Sequence, residues 1–289
     1  MLSIQEIEKI EKKALDQRKI YDLGDESPIG LKIFNYIENI FDSYILLYPL
    51  VTKKIAGFTR KQAEVIQIFV NTSFNQSYQV FATAHELYHL IDLKEKSEDK
   101  FIVCNHQDIS VDIDDIDLDI EEIKANYFAA AFLMPKSVIE DRFYKYKNKK
   151  YSEEDIVLKI MELQYEYEIP FKTILKRLKE LGIIGNEEFI KLKYYDERIL
   201  EYCKMFDDEM RKRIIELENS NRRKYHSINV PKIANDIYRN NIISISKFEY
   251  IINKYDKKIE DFNVIKQETS PIDIDFSSFG TGDYEDDEN

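Results

Sequence analysis

The segment Phe81-Ala-Thr-Ala-His85-Glu86-Leu87-Tyr88-His89-Leu90-Ile91 constrains this chain more than any other. Its apolar residues surround two histidines four positions apart, a spacing that puts both imidazoles on one face of a helix. A helix this apolar must be buried, and a buried imidazole needs a partner. The fold therefore has to bring a second element with suitable side chains against that face. With only four histidines in 289 residues, a chance His-Glu-x-x-His arises on the order of once in two hundred such chains.

The pattern suits a metal. Two imidazoles one turn apart reach one ion, and Glu86, next to the first, can accept a proton from a water on it. A catalytic zinc site takes three protein ligands and leaves one position open. The segment 117–134 supplies a candidate third ligand: Glu122 is an acid on an otherwise apolar helix, with Ala125 and Ala129 on the same side allowing close approach. Asn126, one turn on, can hold a histidine ring nitrogen. Glu121, Asp119 and His106 are the alternatives, although Glu121 faces about 100° away from Glu122 on a helix.

Around these segments the periodicity predicts helices over 3–20 and 28–41. Strands are expected at 43–49, 55–58 and 64–71, and an irregular acidic stretch over 93–117. Pro135 ends the Glu122 helix. Beyond it the chain reads as helical, with a pair over 153–181 of helix-turn-helix size, a long polar helix over 194–219 and a further pair over 231–255. The expected fold class is α+β, with a small sheet followed by a mostly helical C-terminal half. The expected domains are a catalytic domain over 1–150, a helix-turn-helix-like unit over 151–190, a helical region over 191–265 and a disordered acidic tail over 266–289.

The net charge is −13, but residues 108–122 carry eight acids and no base, and residues 271–289 seven acids and no base. The rest of the chain therefore sits at about +2, and sequence-independent DNA binding by the whole chain is disfavoured. A run of alternating acids, Asp112 to Asp119, lacks the glycine and distal glutamate of a calcium loop and reads as solvated. The thirteen bases against nine acids over 203–260 read as a solvated helical face, with nucleic acid or an acidic partner as the functional reading. No apolar run reaches the roughly 18 residues of a membrane span, and no opening signal peptide is visible. Cys104 and Cys203 show no pairing pattern, so the expected compartment is the cytoplasm.

His-Glu-Leu-Tyr-His followed by Glu-x-x-Ala-Asn-x-Phe-Ala-Ala-x-x-Leu-Met-Pro resembles the ImmA/IrrE family of metallopeptidases, whose fold is zincin-like. The strand ending at Asn71 and the sequence Arg-Leu-Lys-Glu-Leu-Gly-Ile-Ile over 177–184 belong to the same resemblance, which covers residues 28–185. It implies that His85, His89 and Glu122 ligate zinc, that Glu86 is the general base, and that the substrate is a helix-turn-helix repressor. Tyr88 departs from the family, where a small residue is usual. An extended peptide beside strand 64–71 is the expected binding mode. The competing expectation is a regulatory protein, DNA-binding or antitoxin-like, whose metal site is structural or degenerate.

Overall fold

A computed structural model describes residues 2–39, 43–62, 65–110, 119–147, 152–226, 229–255 and 257–262. The acidic run up to residue 118 and the tail expected from 266 lie outside the described residues. The chain divides into two compact units, residues 1–229 and 230–289.

The first unit opens with helix α1 (Ile4–Ile20), started by a capping box in which Ser3 and Glu6 satisfy each other's backbone amides. The helix expected over 28–41 is shorter: a single 3-10 turn over Gly30–Lys32 leads into α2 (Ile33–Asn39). Gly30 has φ +50°, and a Cβ there would stand 2.2 Å from Glu168 Oε2, the oxygen that accepts from the Leu31 amide. That turn leaves no room for a regular helix start.

Strands β1 (Tyr44–Tyr48), β2 (Ile55–Gln62) and β3 (Val65–Asn71) follow. Asn71 ends β3 by clipping the neighbouring loop: its Oδ1 accepts from the Leu50 and Ser73 amides and its Nδ2 donates to Thr52 and Ile55 carbonyls. Helix α3 (Gln76–Lys94) carries the histidines. The stretch expected to be irregular then forms β4 (Lys100–Asn105) and a short helix α4 (His106–Ser110). The sheet order is β4-β2-β3-β1-β5, where β5 is the pair Tyr225–His226; β1 and β3 are parallel and the remaining pairs antiparallel. Strand β3 is thus interior, with both edges occupied, so no peptide can add beside residues 64–71.

Helix α5 (Ile120–Leu133) lies across α3, and α6 (Lys136–Lys147) follows Pro135. Helices α7 (Glu153–Tyr167) and α8 (Phe171–Glu180) form the expected pair, with a second capping box at Ser152 and Asp155. After α9 (Asn186–Lys193), the long helix expected over 194–219 is broken into 3-10 turns, α10 (Ile199–Tyr202) and α11 (Asp208–Glu218). The break comes where Asp207 turns extended and its side chain caps Met210 N, starting a new helix. One core joins α1, the sheet, α3, α5, α7 and α8. Arg18, fully buried, ties α1 to the end of α5 by donating to Phe132 O at 2.7 Å and to the Gly24 and Ser27 carbonyls.

The second unit contains α12 (Asn229–Arg239), α13 (Ile245–Asn253) and a 3-10 turn over Ile259–Phe262, packed around Ala234, Phe248, Ile252 and Ile259. Among the described residues no helix is long and apolar enough to cross a membrane.

Candidate metal centre

Helix α3 is sandwiched: β2 and β3 pack on one side and α5 on the other. Asn75 caps its start through Tyr78 N, and nearly every residue from Ser77 to Leu93 is buried. Consecutive helical residues point about 100° apart. Position 85 therefore faces α5, while position 86 faces the sheet.

Three donor groups meet on the α5 side. His85 Nε2 is 2.9 Å from Glu122 Oε2, His89 Nε2 is 3.4 Å from Glu122 Oε1, and the two Nε2 atoms are 3.3 Å apart. The fully buried Ala125 and Ala129 give α5 its close approach. Asn126, one turn past Glu122, sets the ring of His85. Its Nδ2 donates to Asp108 O on α4, so its Oδ1 is left to accept from His85 Nδ1 at 2.9 Å. A ring that ligates a metal through Nε2 carries its proton on Nδ1, where this bond receives it.

The alternatives are occupied elsewhere. Glu121 turns away, accepting from Tyr88 OH at 3.2 Å and pairing with Lys124 at 2.8 Å. Asp119 caps α5 through Glu121 N. His106 opens α4 half-buried, its Nδ1 2.7 Å from Tyr78 OH and its ring 4.8 Å from Phe74. Cys104 Sγ lies within 4.8 Å of ligand atoms of His85 and Glu122, but burial pushes this thiol well above its ordinary pKa and keeps it neutral. Tyr88 packs between α1 and α5, under Lys13 Nζ at 4.6 Å and beside Phe128 at 5.6 Å, and its ring meets the His89 ring edge-on at 5.6 Å.

On the sheet side Glu86 is fully buried. Its Oε2 accepts a 2.6 Å hydrogen bond from Thr59 Oγ1, and its Oε1 has no hydrogen-bond partner among the described residues. Burial pushes the Glu86 carboxyl up to about 8. Burial also acts to raise Glu122, yet the hydrogen bonds from His85 and His89 prevail and hold it at about 2. At His85 burial opposes charge, but the bond to Glu122, the Glu86 and Glu122 carboxylates and Asn126 outweigh it and raise the pKa; at His89 burial prevails and lowers it. The Glu86 and Glu122 carboxyls are thus driven in opposite directions, a pattern characteristic of sites that do chemistry.

The family model described as IrrE N-terminal-like domain matches residues 41–179, which hold strands β1 to β4, helices α3 to α7 and most of α8. The chain carries an ImmA/IrrE-family metallopeptidase domain. Among curated proteins, none matches the chain. The ImmA/IrrE domain has the zincin-like α+β fold, as expected, and its chemistry is that of a metal-assisted peptidase.

The residues fit such a metal. Ligand atoms about 2.0–2.2 Å from one tetrahedral ion stand about 3.3 Å apart; the three separations here are 2.9, 3.3 and 3.4 Å. Two imidazole nitrogens in near contact, facing a carboxylate, form a donor set that a cation relieves. The contribution of Thr59, with Gly57 and Asp108 O, was missed in the sequence. The signal there was the row Gly57, Thr59, Lys61, three non-apolar residues at the inward positions of a strand.

Proposed function

We propose that this chain is a zinc-dependent metallo-endopeptidase whose substrate is a helix-turn-helix transcriptional repressor. His85, His89 and Glu122 hold the metal and Glu86 is the general base. The observation that carries the reading is the convergence of two Nε2 atoms and one carboxylate within 3.4 Å, beside a buried glutamate that has an unpartnered oxygen. Two imidazoles and a carboxylate suit zinc.

Bound zinc supplies Lewis acidity, drawing the pKa of water toward about 7 and polarising a peptide carbonyl. Glu86 takes a proton from the attacking water as its oxygen bonds to the carbonyl carbon. The same carboxyl then gives that proton to the amide nitrogen as the C–N bond breaks. Burial raises the Glu86 carboxyl and so makes it a stronger proton acceptor than an exposed glutamate. Asn126 receives the Nδ1 proton of His85 in the ligating tautomer.

Strand β4 is a sheet edge, and Cys104 on it approaches the donor cluster. An extended peptide pairing along this edge passes the metal ligands, and strand pairing needs no free terminus, which favours an internal cut. The repressor substrate rests on the family resemblance. The competing DNA-binding reading of 153–182 is disfavoured because every residue of α8 is buried or only partly exposed, leaving little side-chain surface to enter a groove.

The test is to express the chain beside candidate helix-turn-helix repressors. The expected result is cleavage by the wild type and none by Glu86→Gln. A repressor inactivated without cleavage, equally by both forms, would move the function to an interaction role.

A further inference from the structure

The inward row of β2 is unusual for a strand facing a core. Alternate residues of a strand share a face, and here that face presents Gly57, Thr59 and Lys61, all buried. Each is given over to α3. Lys61 Nζ donates to the carbonyls of Leu93 and Lys96 at the end of the helix. Thr59 Oγ1 lies 2.6 Å from Glu86 Oε2 and 3.2 Å from Glu86 O. A Cβ on Gly57 would stand 2.8 Å from Glu86 Oε1 and 2.7 Å from Phe69 O. The strand grips the helix end with Lys61 and shapes a seat for one side chain with the other two.

We infer that Thr59 is the positioning residue of Glu86, holding one carboxylate oxygen while Gly57 clears the space in which the other stays open. This inference rests on Glu86 being the general base. The Thr59 bond, 2.6 Å long, is the one hydrogen bond the Glu86 carboxylate accepts among the described residues. A glutamate side chain has three rotatable bonds, and the apolar surroundings of α3 offer no other donor to fix them. Without the hydroxyl the carboxylate is oriented by packing alone. Thr59 touches neither the metal ligands nor, in this role, the substrate, so its loss falls on turnover and spares binding.

The variants are Thr59→Val, which keeps the shape and removes the donor, Thr59→Ser, which restores the donor, and Glu86→Gln. Each is assayed for zinc content and for kcat and KM on a pool of internally quenched peptides, and the Thr59 variants are crystallised without metal. The expected result for Thr59→Val is unchanged zinc content and KM with kcat lowered roughly 10- to 100-fold. Thr59→Ser should return kcat to within about three-fold of wild type. In crystals of Thr59→Val the Glu86 carboxylate should leave its place against β2, and in Thr59→Ser it should keep it. That readout decides the matter whether or not any peptide in the pool is cut. Wild-type kcat in Thr59→Val beside an inactive Glu86→Gln, or a Glu86 carboxylate unmoved in Thr59→Val, would overturn the inference and leave the peptidase reading standing. Full turnover by Glu86→Gln would overturn both.

Discussion

Replacing Asn126 with alanine should loosen the metal without abolishing the fold. Asn126 is 5% exposed and joins two elements: it accepts from His85 Nδ1 at 2.9 Å and donates to Asp108 O at 2.5 Å. Alanine leaves the buried His85 Nδ1 without a partner and removes the bond to the half-buried Asp108 carbonyl. An unsatisfied buried group costs about 1–3 kcal/mol and an ordinary hydrogen bond about 1 kcal/mol, so the expected loss of stability is about 2–4 kcal/mol. The effect on the metal has a separate origin. With Oδ1 gone, the Nδ1 side of the His85 ring loses its partner, and loss of such a partner weakens metal affinity about 10- to 100-fold. Asn126→Asp separates the two effects. It keeps an acceptor for His85 Nδ1 and so retains affinity, but it sets a carboxylate against the Asp108 carbonyl and loses stability. Zinc affinity is read by competition with a chromophoric chelator, and stability by urea unfolding of the metal-free proteins. Unchanged zinc affinity in a folded Asn126→Ala protein would refute the reasoning, because His85 would then need no support from α5.

Two further outcomes are expected. Burial and the neighbouring Asp196 carboxylate raise Glu218 to about 7. Its folded pKa exceeds the unfolded value of about 4.3, so stability present below that value is lost as pH rises to about 7. Gln164 and Asn75 donate to different oxygens of Glu218, so Glu218→Gln keeps an acceptor for only one of them; it should cost stability near pH 4 and regain roughly 3 kcal/mol at most by pH 8. Urea midpoints that shift equally at both pH values would contradict this. Tyr88→Ala should cost about 3–5 kcal/mol through lost contacts with Phe128, Lys13 and Glu121, with zinc content unchanged. Loss of metal from a still-folded Tyr88→Ala protein would show that the ring supports the site.

What the sequence disclosed follows from where its physics is local. The histidine helix and the strand ending at Asn71 each rest on residues a few positions apart. Glu122 could be singled out because an acid on an apolar helix has few uses. Strand β4 was hidden because it is an edge strand of which Cys104 alone is fully buried, inside a stretch whose charges read as loop. The break before α11 did carry a signal, Asp207 ahead of Asp208 and Glu209, which the helical periodicity on either side masked. The seat of Glu86 was not legible from periodicity, since Gly57 and Thr59 acquire meaning when α3, 27 residues further on, lies across them. The placement of β3 inside the sheet is likewise a property of pairing partners far apart in the chain.

The most direct test of the metal centre is the zinc content of purified wild type beside His85→Ala and Glu122→Ala, all shown to be folded. The account predicts about one zinc per wild-type chain and loss or marked weakening in both variants. Full zinc content in Glu122→Ala, or no zinc in a folded and zinc-supplied wild type, would contradict it.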